Sequence, residues 1–164
     1  WFMGVLSAGF DSEVTERANQ MTWPKGQARY LVATLRELQI FKPVEYELVM
    51  DDQTVRQRAM LVAVGNGISY GGGMKVCPDA KLDDGLLDVT VLGAVSKLTF
   101  IRSFPGVFKG THVNQPYVYQ YRTQHLDVVA PGQLIYADGE RVGPAPARIW
   151  VEPAALRVFV RSAG

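Results

Sequence analysis

The side chains best suited to chemistry in this 164-residue chain sit in three short segments rich in acids and glycines. Asp83-Asp84-Gly85 puts carboxylates beside a sharp turn. That arrangement reads either as a solvated turn or as a Mg²⁺ site, since Mg²⁺ accepts one or two acids together with backbone carbonyls and water. The spacing departs from the Ca²⁺ loop of an EF-hand, which needs alternating acids before its glycine. Asp138-Gly139-Glu140 follows the apolar run Leu134–Ala137 and carries a strong hairpin signal. Glu140 is then either a surface residue of the turn or a carboxylate at the mouth of a site, placed to accept a proton from a substrate hydroxyl. Between Gly65 and Gly73 five of nine residues are glycine, which permits positive φ and the close approach of another backbone. The Gly-Lys-Ser/Thr ending of a P-loop is missing, as is the third glycine of a dinucleotide fingerprint, so neither phosphate-binding pattern is met.

The remaining reactive side chains are scattered. His112 and His125 share no metal-ligand spacing. Cys77 is the only cysteine, so it has no internal disulfide partner, and it lacks a nucleophile signature. Tyr117, Tyr119 and Tyr121 recur at period two and place three rings on one strand face, as sheet packing or as a wall facing lipid.

The elements that must position these groups follow from periodicity. An opening strand is expected from Trp1 to Leu6, then a turn at Gly9-Phe10-Asp11-Ser12, with Asp11 or Ser12 capping a helix that carries Val14, Ala18 and Met21. A second helix follows Pro24, with Leu31, Leu35 and Leu38 on one face and Arg29, Arg36 and Glu37 toward water. From Val44 the period changes to two, and Asp51-Asp52 turns the chain into a longer strand over Val55–Val64. Leu87, Val89 and Val91 form another strand. Ser96 caps a short helix that Pro105-Gly106 is expected to end. Further strands are expected at 117–121, 124–130, 134–137, 148–151 and 156–160. Many short strands with two or three short helices predict a mainly β fold, an antiparallel β-sandwich or barrel, in one domain over residues 1–164.

Composition narrows the function classes. A net charge of +1, with no interleaving of aromatic residues and Arg, argues against nucleic acid as a partner. No apolar run reaches membrane-spanning length, and with the lone cysteine this predicts a cytoplasmic protein. The chain starts on apolar residues with no initiator Met, which is expected of a cut inside a longer protein.

Taken in order, Gly65-Asn66, Tyr70-Gly71-Gly72-Gly73, Pro78-Asp79-Ala80, Asp84-Gly85-Leu86-Leu87-Asp88, Asp138-Gly139-Glu140 and Pro153-Ala154-Ala155-Leu156 resemble the bacterial diacylglycerol kinase and sphingosine kinase family of lipid kinases. Ala8-Gly9-Phe10-Asp11 and Lys25-Gly26 with Tyr30-Leu31 extend the likeness over nearly the whole chain. Ser7 departs from it, standing where the family often has glycine. The resemblance implies the β-sandwich second domain of a diacylglycerol kinase and NAD kinase-like fold, packed against an amino-terminal nucleotide-binding domain whose Gly-Gly-Asp-Gly-Thr signature this chain lacks. It further implies transfer of the γ-phosphate of ATP to the hydroxyl of a lipid such as diacylglycerol, with Glu140 as proton acceptor. A structural Mg²⁺ would be held by the Asp84 carboxylate and the Lys81 and Leu86 carbonyls, and the enzyme would touch membranes peripherally. Other readings of the same residues are a non-catalytic sandwich that binds a lipid or a protein, and an NAD kinase-like domain.

Overall fold

The computed structural model describes residues 1–157 and Phe159. The chain forms β1 (Val5–Gly9), α1 (Phe10–Gln20), α2 (Gln27–Ile40), β2 (Val44–Met50), β3 (Thr54–Gly65), β4 (Leu87–Gly93), α3 (Lys97–Lys109) and a 3₁₀ turn (Thr111–Asn114). It continues through β5 (Val118–Thr123), β6 (His125–Val129), β7 (Leu134–Ala137), β8 (Glu140–Pro144) and β9 (Ala147–Trp150). All strand pairs among the described residues are antiparallel. The mainly β, sandwich-like architecture expected from the alternating pattern is therefore present.

The long strand β3 joins the two layers. Its first half, up to Ala59, pairs with β2, while Leu61–Gly65 lies between β1 and β4. The register against β4 shifts between Ala59 and Leu61, and such a bulge bends a strand and raises its twist. One layer thus continues from β2 through β6 to β9, the other from β1 through β7 to β8 and from β4 to β5. Strands that cross between sheets in this way make the corner of a sandwich. Between the layers, Leu6, Leu48, Val62, Val64, Leu87, Val89, Leu126, Val128, Ile135 and Ile149 form the main core.

Both faces of β1 and of the second half of β3 are buried. A second cluster of Phe10, Val14, Ala18, Ala33, Leu38, Met60 and Phe100 packs the three helices on the outside of the sheet. A third, of Val5, Ala63, Val76, Cys77 and Ala80, lies under the segment that follows β3.

Local expectations fail where tertiary contacts intervene. β1 starts at Val5, later than expected. α1 has no side-chain cap from Asp11 or Ser12. Gly9, at φ 96°, carries the chain directly from strand to helix, in a place where a Cβ would meet the Tyr46 hydroxyl at 2.3 Å and the Met60 carbonyl at 2.7 Å. Ser12 instead donates its hydroxyl to the Ser7 carbonyl at 2.9 Å. On α2, Glu37 is buried and paired with Arg17, whereas Leu31 and Leu35 are exposed. α1 packs on the side that presents the small Ala33, and the Arg17 guanidinium makes burial of the Glu37 charge tolerable. α3 runs through Pro105-Gly106 to Lys109 and closes on Gly110 at φ 76°. Pro105 and Ile101 are both exposed, so the backbone bond that Pro cannot make is missing on the solvent side of the helix. β8 was not expected: its Gly143 and Pro144 hide an edge strand. The strand expected at 156–160 falls partly outside the described residues.

Candidate functional site

The Asp138-Gly139 turn between β7 and β8 has positive φ at both residues, 50° and 87°, the requirement of a tight hairpin. This geometry aims the Asp138 carboxylate back at the chain's start. It accepts the amides of Met3 at 2.7 Å, Gly4 at 3.0 Å and Val5 at 3.0 Å, while the Asp138 amide donates to the Val5 carbonyl. From the other side, the Asn66 and Gly67 amides both donate to the Gly4 carbonyl at 2.9 Å, and the Asn66 side chain donates to the Met3 carbonyl. Two segments singled out in the sequence therefore clamp one strip of backbone. A Cβ on Gly4 would lie 2.7 Å from the Asp138 carboxylate, so a larger residue here would have to push that side chain off the backbone strip. Asp138 itself drew no role beyond the turn in the sequence. The only signal for it was the Asp-Gly pair, which says nothing of its distant partners.

Glu140 follows the turn, paired in register with Ala137. It is exposed and makes no side-chain hydrogen bond among the described residues. An exposed carboxylate on a pinned turn is open to a ligand.

Asp84 lies in the turn that leads into β4. Gly85, at φ 71°, lets the Leu86 amide reach back to the Asp84 carboxylate at 3.0 Å. Arg122 pairs with the same carboxylate and lies 3.4 Å from Asp88. The β4–β5 register sets Arg122 directly opposite Asp88. Burial pushes the Asp88 carboxyl up, the Arg122 guanidinium opposes this, and Asp84 and Asp79 push it up further. One buried Asp88 oxygen has no hydrogen-bond partner among the described residues. An orphaned oxygen and several acids against one guanidinium suit a hard cation. No three His, Cys, Asp or Glu side chains among the described residues converge as a ready-made metal site, so backbone oxygens would have to complete it. Lys81 is exposed, and Leu86 is held by the hydrogen bond its backbone N–H donates to the Asp84 carboxylate.

The glycine loop reaches a different neighbour. Gly71, Gly72 and Gly73 all take positive φ, and Tyr70 and Met74 bridge across them. The Tyr70 and Ser7 hydroxyls face the Asp11 carboxyl, which burial pushes up, and Tyr70 is likewise raised well above its ordinary value by burial and by Asp11. The chain thus joins Ala8-Gly9-Phe10-Asp11 to Tyr70-Gly71-Gly72-Gly73. Cys77 is buried under this loop, its thiol pushed up to about 11 by burial, which leaves it inert as a nucleophile. His112 is buried against the Val76 carbonyl, and His125 pairs with Asp51 at 2.8 Å. Tyr121 packs on the main core, while Tyr119 is partly exposed on β5. A surface depression of about 350 Å³ lies between Asp127, Pro146 and Arg148, on the side of the sheet that carries His125 and Asp51.

Known proteins share this arrangement of elements. The family profile described as YegS C-terminal NAD kinase beta sandwich-like domain matches residues 4–160. A diacylglycerol kinase of Mycobacterium tuberculosis (strain H37Rv) is 43% identical over 160 residues, covering 97% of this chain and 52% of that protein. A probable lipid kinase YegS-like protein of Pseudomonas fluorescens (strain Pf0-1) is 30% identical over 166 residues, again 97% of this chain and 52% of the relative. Among solved structures, a putative diacylglycerol kinase from Bacillus anthracis str. Sterne superposes with a TM-score of 0.67 at 20% identity, over 93% of this chain and 50% of that one. The chain spans about half the length of the curated relatives it matches. With the profile covering nearly every described residue, the chain belongs to the YegS C-terminal NAD kinase beta sandwich-like domain family.

Proposed function

We propose that residues 1–164 are the carboxy-terminal domain of an ATP-dependent lipid kinase that phosphorylates the hydroxyl of a lipid such as diacylglycerol. The relatives' names support the reaction class. The observation that carries the reading is Glu140 itself: exposed, without a side-chain partner among the described residues, and held on a hairpin that Asp138 pins to the start of β1. In such a reaction the lipid oxygen attacks the γ-phosphorus, ADP leaves, and the hydroxyl proton passes to a base. Glu140 is that base. Phosphoryl transfer asks for positioning and charge neutralisation above all, so a carboxylate suffices as acceptor.

ATP and its catalytic Mg²⁺ would bind mainly on an amino-terminal domain preceding Trp1. A structural Mg²⁺ would be held by the Asp84 carboxylate with the Lys81 and Leu86 carbonyls, taking the place of Arg122 on Asp84 and steadying the turn that enters β4. The enzyme would work in the cytoplasm, touching the membrane peripherally. Full-length protein incubated with ATP, Mg²⁺ and diacylglycerol should yield phosphatidic acid. A folded preparation that hydrolyses no ATP and labels no lipid overturns the reading.

A further inference from the structure

We propose that the outward face of α3 is the surface on which this protein docks to an anionic lipid bilayer. The inference rests on the lipid-kinase reading, which requires the protein to meet a bilayer, and it adds which surface does so. Leu98, Ile101 and Phe108 are 56%, 51% and 46% exposed. At about 100° per residue they form one ridge along the helix, with the exposed Pro105 between them. The same spacing puts Lys97 along one flank of this ridge and Arg102 and Lys109 along the other. All three are exposed, and Lys97 also donates to the Gln39 carbonyl at the end of α2. The opposite side of α3 is anchored by Phe100 and Phe104 in the helical core. An apolar ridge flanked by cations is the form of a helix that lies in the headgroup layer, its apolar side chains in the acyl boundary and its cations on lipid phosphates.

The charge pattern selects the occupant. No Asp or Glu occurs from Val89 to Leu126, so α3 has no acids of its own to answer its cations. A second copy docked two-fold on this face would bring cations against cations. An anionic bilayer answers all three. The placement also fits delivery of a lipid: the Val107 carbonyl accepts the Lys75 amide at 3.0 Å, and Gly110 packs against Pro78. The docked end of α3 therefore adjoins the segment that follows the exposed Gly71–Gly73 loop.

The test uses the full-length protein and sedimentation with phosphatidylcholine vesicles, with and without phosphatidylglycerol. The parent should partition onto the mixed vesicles and come off as salt is raised. Lys97→Gln/Arg102→Gln/Lys109→Gln should lower that partition by about 10²-fold, and Leu98→Ser/Ile101→Ser/Phe108→Ser by about tenfold or more, with unchanged melting by circular dichroism. A parent that ignores anionic vesicles, or variants that bind them like the parent, overturns the proposal. So does a parent dimer that these variants convert to monomer without loss of vesicle binding, since the face is then a contact between copies. Turnover of a monomeric short-chain diacylglycerol is followed in parallel. Its absence in a parent that docks through α3 sinks the kinase reading and leaves the docking surface standing, while a turnover that survives in the variants separates docking from chemistry.

Discussion

The Asp138 carboxylate holds the Gly4 amide at 3.0 Å across 134 residues of chain, in a gap that a single Cβ on Gly4 would close. Ionised acceptors of several backbone amides are among the stronger hydrogen bonds in proteins. Asp138→Ala should cost about 2 kcal/mol in denaturant unfolding of the full-length protein. Asp138→Asn should cost less, since Asn tolerates positive φ and keeps one acceptor oxygen. An Asp138→Asn protein as stable as wild type beside a costly Asp138→Ala would show that the turn, and not the carboxylate clamp, matters.

Glu140→Gln keeps the side-chain shape on an exposed turn. Turnover of diacylglycerol by the full-length enzyme should fall by roughly 10²–10⁴-fold, with apparent affinities for lipid and ATP changed much less. Stability should stay within about 0.5 kcal/mol of wild type. A folded Glu140→Gln enzyme with near wild-type turnover places the base elsewhere.

Mg²⁺ should raise the melting temperature of the full-length protein even without nucleotide, by the mass-action gain of a ligand bound only to the folded state, about 2.7 kcal/mol at a hundredfold excess over its dissociation constant. Asp84→Asn should abolish this gain. Thermal titrations on the two proteins decide it: an undiminished Mg²⁺ effect in the variant moves the ion away from Asp84.

Asp51 gives a pH prediction with a definite sign. The Thr123 hydroxyl and the Gln124 amide, followed by His125, hold its carboxyl well below its ordinary value of 3.8. In acid the unfolded chain therefore takes up this proton before the folded one does. The stabilisation from Asp51 is full above its ordinary value and disappears as the pH falls toward the folded one. Asp51→Asn should be less stable than wild type near neutrality, and the gap should close on acidification. A gap that stays constant across that range assigns the loss to packing.

The isolated chain should bind no ATP with Mg²⁺ in calorimetry and should phosphorylate no lipid. Heat of binding at micromolar to low-millimolar nucleotide, competed by ADP, would show that residues 1–164 hold a nucleotide site of their own.

Much of the fold was legible because it is written in local period. Tyr46, Leu48 and Met50 point to the core while Glu45 and Val49 face out, and the Ser96 hydroxyl caps α3 on the Thr99 amide as its spacing requires. Helix faces were less legible. Leu31 and Leu35 lie on an apolar face of α2 that stays exposed, and Glu37 on one that is buried, because Arg17 of α1 supplies the countercharge. Periodicity reports that a helix has two faces without saying which one a neighbour will cover.

The sequence by itself determined the period-two strands, the glycine turns and the ordered set of motifs that resembles a lipid kinase domain. Each of these is a property of residues within a few positions of one another, where sterics and hydrogen bonding act directly. Only the tertiary structure decided that Asn66 and Asp138 grip the same backbone strip, that Tyr70 comes near Asp11, and that Arg122 answers both Asp84 and Asp88. Those pairs are set by strand register and by the crossing of β3 between layers, which bring together residues whose separation along the chain carries no local signal.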